Sequence, residues 1–322
     1  MIITKTPLRI SLFGGGTDLQ TYYQTGHGSV INMSIDKYIY IIVNPKFDNK
    51  IRISYSKTEI VDKVEEIQHP IVRECLQMVG IAQGIEIVSV ADIPAGTGLG
   101  SSSCFTVGLL NALYTYVGQT LSSEELAKKA CEIEINILKN PIGKQDQYGC
   151  ACGGINYFRF NQNESVNREK IYLSPYEIQK LNRKLMLFYT GETRNANDIL
   201  ATQKSNTKAK LDTLHIMRKQ ADMMKDNLLT NGVSSSIGEE LHKGWLLKKS
   251  LAQGISNPLI DGAYERAIAA GALGGKILGA GGGGFILLYC DEDKQDQVRK
   301  EILLPEIDFR ISDYGSRVIY SE

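Results

Sequence analysis

The 322-residue chain has no surplus of either charge: Lys and Arg together number 36, as do Asp and Glu. A protein that grips bulk nucleic acid through its phosphates needs a basic surplus, so that class is excluded, although local basic clusters are not. Cysteine is sparse and unpatterned. Cys75, Cys104, Cys131, Cys150, Cys152 and Cys290 fit no zinc spacing, and Cys150-Ala151-Cys152 is too tight for a CxxC pair. Most lie among apolar residues, which predicts buried free thiols in a reducing cytoplasm. Long hydrophobic runs are missing too. The longest weakly charged stretch, Ala267 to Cys290, carries Lys276 and a run of glycines, so it is not a membrane span. The opening MIITKTPLRISLF begins like a strand and lacks a signal-peptide layout. Repeats, low-complexity tails and long linkers are also absent. With 43% hydrophobic and 22% charged residues, a chain of this length is expected to be a soluble globular protein of two ordinary domains or one large one.

What is present is concentrated about a third of the way along. IEIVSVADI reads as a strand. Pro94-Ala95-Gly96-Thr97-Gly98-Leu99-Gly100-Ser101-Ser102-Ser103 follows as a loop, then an apolar helix from about Ser102 to Val117, stopped by Gly118. Glycines at alternate positions let the backbone approach a ligand without Cβ clashes. The free N–H groups and dipole of the helix start favour an anion there. Three serine hydroxyls add donors, and one can turn its oxygen to a metal ion. This is what a polyphosphate site requires; a flexible loop before a core helix is the plainer alternative. It is not a P-loop, because no Gly-Lys-Ser/Thr follows the glycines, so charge for terminal phosphates must come from elsewhere. A later run, Gly279-Ala280-Gly281-Gly282-Gly283-Gly284, formally matches GxGxxG. The strand FILLYC follows it rather than a helix, so the dinucleotide reading fails its context.

Several charged residues stand out against their surroundings. Arg9 sits among apolar residues just before Gly14-Gly15-Gly16-Thr17-Asp18, either as a surface arginine or as a cation beside a glycine turn. Asp18 either caps the following helix LQTYYQTG or binds substrate hydroxyls. The helix expected over Leu121–Lys139 opens with a Ser122/Glu125 capping box. It puts Leu126, Ala130, Cys131, Ile137 and Leu138 on one face, with Glu134 in the middle. A carboxylate there is costly unless paired or coordinated, so Glu134 is either a salt-bridged acid or a metal ligand. Asn140-Pro141 ends the helix. Lys144 and Asp146 then lie in a segment read as neither strand nor regular helix, where Asp146 is a candidate base, metal ligand or turn residue. Arg194, near a helix start at Asn195, is a second candidate anion site. The opening third reads as mainly antiparallel strands, Ala196 to about Leu251 as charged helix broken near Asn231-Gly232, and the C-terminus as closing with strands. A composition shift near Leu173–Tyr176 divides the chain into 1–175 and 176–322.

Three segments in this order and spacing, PLRISLFGGGTD, PAGTGLGSSS and KILGAGGGGF, resemble the three motifs of the GHMP small-molecule kinases, and the resemblance covers nearly the whole chain. PLRISLFGGGTDLQTYY, INMSIDKYIY, NPIGKQDQYGCACGGINYF and YTGETRNANDIL are similar to the heptose phosphate kinase and fucokinase branch. Gly15-Gly16-Thr17-Asp18 departs from the acidic-histidine pair of the galactokinases. The resemblance implies an α+β two-domain fold, with a mixed-sheet ATP-binding domain over 1–175, a ferredoxin-like domain over 176–322 and the site in the cleft between. It implies a cytoplasmic, ATP- and Mg2+-dependent kinase that phosphorylates the anomeric C1 hydroxyl of D-glycero-D-manno-heptose 7-phosphate, giving heptose 1,7-bisphosphate toward GDP-heptose for surface glycans. A fucokinase-like sugar 1-kinase and a catalytically silent ATP- and sugar-binding regulator are the alternatives. It assigns Pro94, Gly96, Gly98, Leu99, Gly100, Ser101, Ser102 and Ser103 to the ATP phosphates, and Ser102 with Glu134 to Mg2+. Asp146 becomes the catalytic aspartate, with Arg9 and Lys144 stabilising charge. Thr17, Asp18, Gly281 and Gly282 fall to the sugar, and Arg194 to its 7-phosphate. The expected partner is a small sugar phosphate, without nucleic acid or membrane; a homodimer stays open.

Overall fold

The computed structural model describes residues 1–192 and 196–322; the expectation for Arg194 lies outside the described residues. The larger sheet contains β1 (Ile2–Phe13), β2 (His27–Pro45), β3 (Ile51–Ser54), β4 (Thr58–Val61), β5 (Ile85–Ala91), β6 (Ile155–Asn161) and β7 (Val166–Lys170). A second sheet is built from β8 (Leu185–Tyr189), β9 (Ala272–Ile277) and β10 (Phe285–Cys290), and β11 (Arg317–Ser321) follows. The larger sheet runs β11-β1-β2-β5-β3-β4, with β6 and β7 branching from β2. Only β3 against β5 is parallel. The long β2 serves two half-sheets: His27–Met33 pairs with β6, and Ile39–Pro45 pairs with β5.

β1 runs unbroken through Pro7, because its register against β2 shifts between Pro7 and Arg9. A bulge tolerates a residue without an N–H and re-aims the side chains after it. Arg9 is the first paired residue beyond that shift.

The helices in chain order are α1 (Gln20–Tyr23), α2 (Pro70–Val79), α3 (Ser101–Tyr116), α4 (Ser123–Cys131), α5 (Gln145–Cys152) and α6 (Pro175–Lys184). They continue with α7 (Ala196–Asn206), α8 (Leu211–Asn231), α9 (Ser236–Lys249), α10 (Pro258–Ala269) and α11 (Gln295–Ile302). α3 is apolar nearly all round, and it is buried against β1 and β2 as such a helix must be. It ends at Tyr116, with Gly118 left-handed just beyond. No helix among the described residues is long and apolar enough to cross a membrane. All six cysteines are free, and all but Cys152 are buried.

The smaller sheet is antiparallel, in the order β8-β10-β9. The segment around Pro305–Ile307 lies along the outer edge of β8, exchanging bonds with Leu187 and Tyr189. β10 is covered on both faces, which explains its unbroken apolar sequence. Phe285, Leu287 and Tyr289 enter the larger core, while Ile286, Leu288 and Cys290 enter the second core with Trp245 and Tyr264.

Two expectations need correction. The helix expected over 121–139 is α-helical only to Cys131 and continues as a π-helical turn over Glu132–Ile137. The wider turn changes the phase, so Ile137 turns outward, while Glu134 lies inward as its spacing from Ala130 predicts and Ile133 is buried beside it. Asp146 stands on the first turn of α5, not in an irregular segment. That short helix contains Gly149 and little propensity of its own; the burial of Gln147, Tyr148, Cys150 and Ala151 holds it. The chain does close with a strand, as expected. β11 crosses back to pair with β1.

Candidate active site

The loop between β5 and α3 works by close backbone approach. Gly96, Gly98 and Gly100 all have left-handed φ. A Cβ on Gly98 would stand 2.6 Å from the Leu278 carbonyl oxygen, and one on Gly284 would stand 2.3 Å from that of Thr97. The late glycine run therefore lies backbone-to-backbone on the loop, which is why both segments need glycine. Together they line one cavity with Ser101, Ser102, Ser103, Asn140 and Gly281. The Ser101 hydroxyl is buried there without a hydrogen-bond partner, as expected of a donor awaiting a ligand oxygen. Leu99 is fully buried, and its carbonyl accepts from Arg9 N–H at 3.0 Å.

Ser102 faces the cavity and donates to Glu134 Oε1 at 2.6 Å; Gln147 Nε2 donates to Oε2 at 2.7 Å. Glu134 is fully buried. Burial raises its pKa, and the bonds from Ser102, Ser103 and Gln147 only partly oppose that. No cationic side chain pairs with it among the described residues. Nor do three His, Cys, Asp or Glu side chains gather there into a metal site of their own.

Arg9 and Asp146 form a bidentate pair: Nε donates to Oδ1 at 2.7 Å and Nη2 to Oδ2 at 2.6 Å. Nη1 donates to the Gly98 carbonyl at 2.8 Å, tying the pair to the loop. Burial lowers the Arg9 pKa, but Asp146 outweighs it and the net shift is upward. This pair borders two cavities at once, that of the glycine loops and a narrower one lined by Ser11, Gly15, Gly16 and Asp18. Asp18 does not cap α1. It accepts from Gly16 N, Gln145 N and Gln145 Nε2 at 3.0, 3.3 and 3.0 Å. Burial, with Asp146 nearby, raises its pKa.

Gly143 leaves Asp18 its room: a Cβ there would stand 2.0 Å from Asp18 Oδ2. Gly143→Ala is expected to displace Asp18 and lower kcat/KM for a substrate held in the Asp18 cavity by about 10- to 100-fold, with KM for a ligand of the glycine-loop cavity little changed. Unchanged kinetics for both in a well-folded variant would remove Asp18 from the site.

Two expected site residues lie elsewhere. Lys144 is turned away from both cavities; its ammonium pairs with Glu164 and sits 5.0 Å from the Tyr23 ring centre. The Thr17 hydroxyl is buried, with the Gly14 and Ser29 carbonyls both in reach of its one O–H at 2.8 and 2.9 Å, and accepts from Ser29 N, so it fastens the turn. Gly281 borders the loop side rather than the Asp18 cavity, and Gly282 lines neither, its N–H donating to the Ile255 carbonyl at 2.9 Å.

The structure also adds residues that the sequence pattern did not single out. Lys248 and Lys276 are buried in the wall of the Asp18 cavity. A lone lysine in a run of glycine and apolar residues was the available signal for Lys276; Lys248 is one of two adjacent lysines, with nothing to tell them apart. A third, largely apolar cavity adjoins the loop at Pro94, Ala95 and Gly96, lined by Ile39, Tyr55, His69, Ile71 and Phe105. His69 stacks on Phe105 with ring centres 5.1 Å apart.

The description "GHMP kinases N terminal domain" matches residues 64–154, and "GHMP kinases C terminal" matches residues 225–303. The chain is 31% identical over 94% of its length to the D-glycero-alpha-D-manno-heptose 7-phosphate kinase of Campylobacter jejuni, covering 93% of that protein. It is 28% identical, over 98% of its length, to the L-fucokinase/L-fucose-1-P guanylyltransferase of Bacteroides fragilis, spanning 38% of that longer protein. The solved structure of a D-glycero-D-manno-heptose 1-phosphate kinase from Bacteroides thetaiotaomicron matches with a TM-score of 0.81 and 25% identity, each chain fully covered. The chain belongs to the GHMP kinases and has their two-domain α+β fold. It is an ATP-dependent kinase, with sugar kinases among its relatives.

Proposed function

We propose that this enzyme transfers the γ-phosphoryl group of ATP to the anomeric hydroxyl of D-glycero-D-manno-heptose 7-phosphate. The observation that carries the reading is the Arg9–Asp146 pair on the wall shared by two cavities, one lined by the glycine loops and the unpartnered Ser101 hydroxyl and one by Asp18, Ser11 and Gln145. The likeness to heptose phosphate kinases supports the choice of sugar.

In this reading the loop from Gly96 to Ser103 and the first turn of α3 hold the ATP phosphates, with the Ser101 hydroxyl as a further donor. The apolar cavity of Tyr55, His69 and Phe105 takes the adenine. Glu134 and Ser102 fit a divalent cation shared with the phosphates, because a buried carboxylate without a cationic partner is costly. Mg2+ bound there would neutralise charge on the β- and γ-phosphates. Asp146 orients the acceptor hydroxyl and receives its proton as the oxygen–phosphorus bond forms and the bond from the γ-phosphorus to ADP breaks. Arg9 holds both Asp146 oxygens and adds positive charge beside the transferred group. Asp18 accepts from sugar hydroxyls.

The test is ADP release from Mg2+-ATP against heptose 7-phosphate, mannose 6-phosphate, fucose, galactose and mevalonate. Turnover of heptose 7-phosphate above the others is expected. Turnover of a free sugar alone would overturn the acceptor and leave the kinase chemistry.

A further inference from the structure

Lys276 and Lys248 are buried lysines that no carboxylate pairs with among the described residues. Lys276, on β9, is 5% exposed; Lys248, near the end of α9, is 7% exposed. Lys276 Nζ donates to the Leu12 carbonyl at 3.0 Å, and Lys248 Nζ donates to the carbonyls of Ile277 and Gly279 at 3.0 and 2.6 Å. The two acids of the same cavity are engaged elsewhere, Asp146 by Arg9 and Asp18 by Gly16 and Gln145. An ammonium carries three donors, so three N–H groups remain between the two lysines. Ser11 lines the same cavity, and its hydroxyl is buried without a partner. A buried, unneutralised lysine is costly, and an apolar residue of like volume would normally be the more stable choice. Retaining two of them, beside an orphaned hydroxyl, fits a cavity built to receive an anion.

The location says which anion. Both lysines line the Asp18 cavity and neither lines the glycine-loop cavity, whereas Arg9 borders both. We infer that Lys276, Lys248 and Ser11 form the subsite for the phosphate that the acceptor sugar already carries, held by charge-assisted bonds. This rests on the reading that the acceptor is a phosphorylated sugar. It also gives the acceptor phosphate a binding site within the described residues.

The electrostatics support the geometry. Burial, reinforced by Arg9, pulls the Lys276 pKa down to about 7. Burial, with Lys276 and then Arg9, pulls Lys248 well below its ordinary value, while Asp146 acts the other way. With Arg9, Lys248, Asp18 and Asp146 as its charged neighbours, Lys276 is partly neutral near pH 7 and takes up a proton as a phosphate arrives. Affinity for the phosphorylated acceptor is therefore expected to fall as pH rises above about 7, by up to about tenfold per unit.

The decisive experiment measures the melting temperature with and without inorganic phosphate, the nucleotide site being saturated with a non-hydrolysable ATP analogue and Mg2+. Phosphate should raise the melting temperature of the wild type and of Lys276→Arg, but not of Lys276→Met. In steady state, Lys276→Met should raise KM for heptose 7-phosphate by about 10- to 100-fold with a far smaller change in kcat, and erase the preference over dephosphorylated heptose. If Lys276→Met does not melt cooperatively, Lys248→Met provides the same readings. An undiminished phosphate shift in the folded Met variant overturns the subsite. So does a fall in kcat with KM held, which would put the lysines on the transferred group. A wild type that phosphorylates only free sugars yet binds phosphate through Lys276 keeps the anion subsite and overturns the acceptor.

Discussion

Asp146→Asn is expected to lower kcat by about 10²- to 10⁴-fold, the usual worth of a positioned acid or base. The substitution conserves volume, so α5 should persist and the melting temperature should stay near that of the wild type. What it removes is the charge. The Asn amide offers only one acceptor to a guanidinium that now donates to both Asp146 oxygens, and none that can take a proton. KM for ATP should barely move, because the loop proposed to hold the phosphates is tied to Arg9 through the Gly98 carbonyl and not through Asp146. Stopped-flow or coupled measurement of ADP release with saturating acceptor decides it. Turnover within a few-fold of the wild type would show that phosphoryl transfer here needs no carboxylate, and that Asp146 serves only to hold Arg9.

Glu134→Gln should separate stability from activity. Burial raises the Glu134 pKa, so the folded state binds the proton more tightly than the unfolded chain. A group of that kind favours folding below its unfolded pKa, and its contribution is lost as pH rises through the folded value. Above the unfolded pKa and without metal, keeping this carboxyl buried is thus a burden that Gln relieves. The variant should melt no lower than the wild type in a chelating buffer at neutral pH. With Mg2+-ATP its rate should fall by about 10²-fold or more, with a higher Mg2+ requirement. Melting in chelator and an Mg2+ titration of the rate check the two halves. A variant with full activity and a wild-type Mg2+ dependence would remove Glu134 from the cation site.

The parts of the site legible in the sequence are those set by local backbone need. Gly96, Gly98 and Gly100 announce themselves because only glycine tolerates their φ, and Gly118 marks the end of α3 for the same reason. Glu134 is conspicuous as an acid in the middle of an apolar face, yet the π-helical turn that turns Ile137 outward leaves no mark, because its cause is a shift of phase and not a residue type. α5 was hidden since its helicity comes from packing. Lys144 and Lys276 show the limit most clearly. Both are lysines beside glycine in segments near the site, and only long-range placement separates a surface ion pair with Glu164 from a buried cation against Leu12. The same holds for Lys248, which reaches the site from a helix whose pattern is that of an ordinary charged surface.

The return of β11 bears on how the chain is made. Until Arg310–Ser321 leave the ribosome, β1 has an unpaired edge, the Thr6 and Asn111 side chains lack Ser316, and Ser34 lacks its partner Ser312. An open edge on the strand that carries Arg9 invites pairing with other chains. The first sheet to be synthesised is therefore the last to be sealed, and its closure waits on the second. Nascent chains stalled before this segment should stay bound to chaperones or aggregate rather than accumulate as a half-built enzyme.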